Sequence, residues 1–97
     1  MTIAHLRTYT INKGMMDDWL ELFPTLIEPM KEAGISVEST WLNADRTQFI
    51  WIRSYGDSVE NIEKCEASFY GSDWWLANVD HIRSHIAHRV FEQIEPA

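Results

Sequence analysis

The sequence is poor in cysteine, proline and glycine, and each shortage narrows the class of protein. Its 97 residues include one cysteine, Cys65, so no disulfide can form within the chain. A reducing compartment is therefore the simplest expectation. With three prolines and four glycines the chain has no linker or low-complexity stretch. We expect a single domain over residues 1–97.

Basic residues and long apolar runs are also scarce. Eight Lys and Arg stand against 15 Asp and Glu, a net charge of −7, which argues against nucleic acid or an anionic membrane as the partner. No apolar run reaches the roughly 20 residues that cross a bilayer. The opening "MTIAHLRTYTI" alternates polar with apolar residues, unlike a signal peptide. We expect a cytoplasmic protein.

Aromatic residues, in contrast, are abundant. Five Trp, three Tyr and four Phe are many large rings for so small an interior. Aromatic side chains supply much of the contact area at protein interfaces and in ligand cavities. Some of these rings are therefore expected to line a partner surface or a cavity.

The pattern along the chain predicts the element order β-α-β-β-α-α-β. A strand is expected over 3–11, then an amphipathic helix bent or broken at Pro24 and Pro29 and ended by Gly34. A hairpin follows over 35–43 and 47–55, then two helices divided by Gly71. The segment from Ile86 fits a helix or a strand, and strand propensity favours the strand. This order is the split βαβ of an α+β, ferredoxin-like fold: an antiparallel four-stranded sheet with helices on one face.

Three stretches resemble the bacterial branch of the NIPSNAP family: "HLRTYTINKGMMDDWLELF", "FIWIRSYGDS" and "HIAHRVFEQIEP". The resemblance covers nearly the whole chain, although Pro24 and the doubled Trp74-Trp75 depart from it. It implies the dimeric α/β-barrel fold, in which two ferredoxin-like chains bring their open sheet faces together around a cavity. A homodimer is therefore expected. The wider superfamily includes cofactor-independent monooxygenases, decarboxylases and isomerases, so the resemblance assigns no particular reaction.

Candidate site residues follow from the alternation of the first and third strands. Period two puts His5, Arg7 and Tyr9 on one face of the first strand. With aliphatic Leu6, Ile50 and Ile52 assigned to the helices, that face is expected to form the cavity wall of the barrel. We predict His5 and Tyr9 as catalytic residues. The predicted ligand-binding residues are Arg7, Phe49, Trp51, Arg53 and Tyr55. For the last strand two registers stay open, with either Arg89, Phe91 and Gln93 or His88 and Glu92 toward the cavity.

A metal site is not expected, although "HIRSHIAH" carries His81, His85 and His88 at helical spacing. If the helix ends near residues 82–84, these histidines divide among a helix, a turn and a strand and share no face. Phosphate-binding and dinucleotide glycine motifs are also absent from the sequence, so no cofactor is expected.

Two hypotheses of function remain. The residues of the predicted wall suit a planar or anionic organic molecule, with arginine holding a carboxylate or enolate and His or Tyr moving a proton. The first hypothesis is therefore a small-molecule-binding barrel, as a cofactor-independent oxygenase or isomerase acting on an aromatic or polyketide-like compound. The second is a non-catalytic dimeric binding or interaction module, in which the same polar residues join the two chains.

Overall fold

Four strands and four helices follow one another in the predicted order. A computed structural model describes residues 2–97. The elements are β1 (Ala4–Ile11), α1 (Met16–Leu22), α2 (Pro24–Glu32), β2 (Ser36–Leu42), β3 (Gln48–Ser54), α3 (Glu60–Tyr70), α4 (Asp73–Arg83) and β4 (Ile86–Ile94). The sheet is antiparallel with strand order β2-β3-β1-β4. The predicted α+β, ferredoxin-like class is confirmed, as is the strand from Ile86. Within residues 2–97, no helix is both long and apolar enough to cross a membrane.

The predicted break in the first helix falls at Phe23 and Pro24. Phe23 ends α1, and Pro24 lies in the first turn of α2. Proline is tolerated there because the backbone N–H groups of the first turn make no hydrogen bond within the helix. Pro29 lies inside α2 without ending it. Gly34 follows α2 with φ +91°, and a Cβ there would lie 2.9 Å from the sulfur of Cys65. Only glycine lets the chain turn this close to α3.

The register confirms that the predicted wall residues share one face of the sheet. Paired residues in adjacent strands lie on the same side. Arg7 pairs with Trp51 on β3 and with Phe91 on β4. Of the two registers left open for the last strand, the observed one therefore places Arg89, Phe91 and Gln93 on the same face as Arg7. His5 pairs with Arg53 in the same alternation.

The predicted orientation of that face is wrong, because it lies under the helices. Tyr9 is 7% exposed, and its ring centroid lies 6.0 Å from that of Trp19 on α1. Arg53 is 1% exposed and donates hydrogen bonds to Glu66 and Tyr70 of α3. Leu6, Ile50 and Ile52, predicted to face the helices, are only half-buried and lie on the opposite face.

The error follows from what the helices carry. Their inward side chains are largely aromatic, including Trp19, Phe23, Phe69 and Trp75. Rings of this size pack edge to face against the aromatic residues of the strands rather than against the smaller side chains of Leu6, Ile50 and Ile52. The open face of the sheet therefore carries the aliphatic row of Leu6, Ile50 and Ile52. Trp41 and Val90 lie on the same face and are 62% and 54% exposed.

Candidate ligand-binding site

A buried polar network joins β1, β3 and α3, and Tyr55 lies at its centre. The Tyr55 hydroxyl donates to Glu66 Oε2 at 2.8 Å and accepts from Arg53 Nε at 2.6 Å. Its oxygen also lies 3.0 Å from His5 Nδ1. Arg53 Nη2 donates to the same Glu66 oxygen at 2.7 Å and to the Tyr70 hydroxyl at 3.0 Å. The network thus satisfies the buried Arg53 guanidinium within the fold.

The charges of the network support one another. Burial alone would raise the pKa of Glu66, but the Tyr55 hydrogen bond and the Arg53 charge outweigh it and hold that pKa below its usual value. Burial raises the pKa of Tyr55, and its hydrogen bond to Glu66 raises it further. Glu66 and Arg53 are therefore an ion pair at neutral pH, and Tyr55 keeps its proton.

His5 is held in one tautomer by this arrangement. Because Tyr55 gives its single proton to Glu66, the proton between Tyr55 and His5 belongs to Nδ1, which leaves Nε2 as the acceptor nitrogen. Burial lowers the pKa of His5, and the Arg7 charge lowers it further. The imidazole is therefore neutral at pH 7, with Nε2 unprotonated.

His5 and Glu66 should make the protein less stable in acid. The unfolded chain protonates histidine near about pH 6.5, whereas the native His5 resists protonation, so the free energy of unfolding should fall as pH drops below about 6.5. Glu66, with its lowered native pKa, contributes stability above about pH 4.3 that is lost at lower pH. Urea unfolding at about pH 7.5 and 5.5 measures the change. His5→Asn should reduce the pH dependence, whereas His88→Asn, an exposed control, should retain it.

Arg7 is buried, and two of the three nitrogens of its guanidinium have no hydrogen-bond partner among the described residues. It is 3% exposed, yet within residues 2–97 its Nε and Nη1 make no hydrogen bond. The guanidinium carbon lies 4.5 Å from the ring centroid of Phe91 and 5.9 Å from that of Tyr9. Cation–π contacts stabilise the charge in part but leave its N–H donors unused.

The Arg7 guanidinium lines a crevice of about 230 Å³ where α3 and α4 meet β1 and β4. We call this space the arginine crevice. Its lining comprises Arg7, Glu66, Tyr70, Trp75, Arg83, Arg89 and Phe91. Since Glu66 is already bound by Arg53, the crevice presents an unneutralised cationic surface in a chain of net charge −7.

The other predicted site residues lie deeper in the molecule. Tyr9 and Trp51 border an interior space of about 20 Å³, room for a single water molecule. Burial raises the pKa of Tyr9, so its hydroxyl stays protonated at neutral pH. Phe49 packs against Trp19 and Phe23 in the core under α1 and α2. The structure thus places Arg7 in the crevice, groups His5, Arg53 and Tyr55 with Glu66, and leaves Phe49 with the core.

The three clustered histidines divide as the sequence predicted. His81 lies in the last turn of α4, His85 in the turn after it and His88 on β4. His85 is buried, and its Nδ1 lies 2.9 Å from the carbonyl oxygen of His81. No group of three or more His, Cys, Asp or Glu side chains in residues 2–97 is arranged to hold a metal ion.

Sequence reasoning missed Glu66 and Arg83 as site residues, whereas Arg89 was predicted in one of the two registers left open for the last strand. Glu66 lies four residues after Ile62 and three before Phe69, within the inward stripe of α3. That spacing was a usable indication, since positions i, i+4 and i+7 share one face of a helix. Arg83 had no such indication, because only the tertiary structure brings it to the same crevice as Arg7.

Several solved structures share this fold. A NIPSNAP-domain protein from Burkholderia xenovorans superposes with a TM-score of 0.87 at 15% identity, over 98% of this chain and 94% of that chain. A NIPSNAP-family protein of unknown function from Agrobacterium tumefaciens gives 0.87 at 18%, over 99% and 88%. A Nitrosomonas europaea protein that carries the provisional name antibiotic biosynthesis monooxygenase gives 0.74 at 14%, over 98% and 89%.

These similarities confirm at the level of the fold the resemblance seen in the sequence. No protein-family model matches the chain, and no curated protein matches it. At identities below 20% the superpositions establish the architecture and leave the activity to the site itself. The chain has the ferredoxin-like fold of the solved NIPSNAP-family proteins.

Proposed function

We propose that this protein is a NIPSNAP-type, small-molecule-binding protein whose ligand is an anionic organic molecule held in the arginine crevice. The observation that carries the proposal is the buried Arg7 guanidinium with two unused donor nitrogens beside a space of about 230 Å³. Leaving buried donors unsatisfied costs roughly 1–3 kcal/mol each, and more for a charge. A carboxylate or enolate oxygen would supply both the missing acceptor and the missing negative charge.

The chemistry we propose is proton abstraction without a cofactor. His5 Nε2 would take a proton from an acidic C–H of the ligand, and the electron pair left behind would delocalise onto the adjacent carbonyl oxygen as an enolate beside Arg7. His5 and Arg7 lie two residues apart on the same face of β1, and Phe91 contacts both side chains. Return of the proton to a different atom completes an isomerisation, and capture of the carbanion by dioxygen begins an oxygenation. The fold shared with the Nitrosomonas europaea protein supports the second outcome by analogy only.

A non-catalytic binding module is the second candidate, and the filled interior favours it. Only about 20 Å³ remains beside Tyr9 and Trp51, so a ligand has no room to pass beyond the crevice. Under this alternative the network around Tyr55 is a structural link between the sheet and α3.

Phenylpyruvate is a suitable probe because it combines a ring, a carboxylate and an acidic C–H beside a carbonyl. We expect it to bind, as measured by tryptophan fluorescence, and its methyl ester to bind at least about tenfold more weakly because the anion is lost. Deuterium exchange of its methylene protons, followed by proton NMR, should be accelerated and should slow roughly 10²–10⁴-fold in His5→Asn. Binding without accelerated exchange would favour the non-catalytic module, and failure of the acid to bind better than its ester would contradict the proposal.

We further propose a homodimer formed through the open face of the sheet. Leu6, Ile50 and Ile52 form an aliphatic row on the two central strands, and exposed apolar patches of this kind mark partner surfaces. Sedimentation should give about twice the chain mass of 11.4 kDa. Ile50→Lys should shift the protein to the monomer, whereas Leu76→Lys, at a residue of α4 that is 64% exposed, should leave the dimer intact. A wild-type protein that sediments as a monomer at micromolar concentration would rule out this assembly.

A further inference from the structure

We propose that Arg83 and Arg89 form a second anion subsite at the mouth of the arginine crevice. The ligand would then be a small planar molecule that carries two negative groups, one on Arg7 and one on this pair. The inference rests on the proposed function, because it names the class of ligand for the same crevice.

The position of the pair makes it the entrance of the crevice. Arg83 ends α4 and Arg89 lies on β4, and both line the crevice that contains Arg7. The same two side chains also line an outer groove of about 380 Å³ together with Ile86, Ala87 and His88. The crevice and the groove therefore share these two residues, which are exposed whereas Arg7 is buried.

The charge of the pair is not neutralised by the fold. Neither Arg83 nor Arg89 forms a salt bridge with any acidic residue in the described part of the chain, although acidic residues outnumber basic ones 15 to 8. The guanidinium carbon of Arg83 lies 5.8 Å from the ring centroid of Trp75 in the wall of the crevice. A helix C-terminus accounts for a cation at Arg83, but it does not account for a second one on the neighbouring strand.

The space between the inner and outer arginines suits one aromatic ring. Tyr70, Trp75 and Phe91 line it, and its volume is about 230 Å³. A cavity of about 150 Å³ is enough for benzene, so a ring with two small charged substituents fits here. The planar guanidinium groups of the lining arginines favour planar acceptors, of which a carboxylate is the simplest.

Matched probes test the second subsite separately from the first. Benzene-1,3- and 1,4-dicarboxylate carry two anions, and 3- and 4-methylbenzoate have a methyl group in place of the second. With the wild-type protein, we expect at least one dicarboxylate to bind about tenfold or more tightly than its methyl counterpart by calorimetry, the scale of one charged hydrogen bond. This preference should weaken as salt is added, since the pair is exposed.

Variants then assign the preference to the pair. The double variant Arg83→Gln, Arg89→Gln should bind the methylbenzoates as the wild type does and should lose the preference for dicarboxylates. The double variant Arg46→Gln, Lys13→Gln is the control for net charge, because it removes the same number of charges from exposed positions outside the crevice, and it should keep the preference. Equal affinity for both classes in the wild type, or a preference that survives in the double variant, overturns the second subsite and leaves the proposed function standing. If neither class binds the wild type, the proposed function fails, and the second subsite fails with it.

Discussion

Replacing Arg53 with methionine should lower the free energy of unfolding by about 3–5 kcal/mol, the cost of breaking a buried ion pair from one side. Arg53 is 1% exposed and hydrogen-bonds to Glu66, Tyr55 and Tyr70. Methionine keeps most of the apolar stem but leaves the Glu66 carboxylate without its cation. Since 27% of the Glu66 side chain is exposed, water relieves part of the loss, and we expect the lower end of the range.

Urea unfolding measures this effect against a matched control. Arg46→Met removes the same guanidinium from an exposed pair with Asp17, and a pair of that kind contributes roughly 0.2–1 kcal/mol. Adding Glu66→Gln to Arg53→Met should recover part of the stability, because no uncompensated charge then remains. Equal losses for Arg53→Met and Arg46→Met would show that the network does not stabilise the fold.

Arg7→Met should have the opposite effect on stability and should weaken ligand binding. The substitution removes buried donors that have no acceptor, and such donors cost roughly 1–3 kcal/mol, so the free energy of unfolding should rise by about that amount. Loss of the cation–π contact with Phe91 offsets part of the gain. A residue that destabilises its own fold while lining a cavity is typical of a functional site.

The binding measurement makes this prediction specific to the crevice. Phenylpyruvate should bind Arg7→Met about 10- to 150-fold more weakly than it binds the wild type, equivalent to roughly 1.5–3 kcal/mol for a charged hydrogen bond. The control is Arg46→Met, which should match the wild type in affinity. If Arg7→Met lowers the free energy of unfolding and leaves the affinity for phenylpyruvate unchanged, Arg7 is a packing residue and phenylpyruvate does not bind in the crevice.

Alternation along β1 and β3 was sufficient to group the candidate residues. Period two places His5, Arg7 and Tyr9 together whatever packs on them, and the register pairs them with Arg53, Trp51 and Phe49. Alternation carries no information about which side the helices cover. The aliphatic row around Ile52 suggested the wrong side, since the buried arginines had no visible partner in the sequence. The partner of Arg53, Glu66, lies 13 residues away along the chain and becomes a neighbour only when α3 packs on the sheet.

The sequence by itself therefore determined the order of the elements and most of their limits. Pro24, Gly34 and Gly71 interrupt helices through local backbone geometry, and β-branched and aromatic runs favour strands whatever surrounds them. Only the tertiary structure decided which sheet face is buried, that Arg53 is neutralised and Arg7 is not, and that Arg83 and Arg89 line the same crevice. These outcomes depend on side chains from distant segments sharing one volume, and local propensity does not specify which charges meet there.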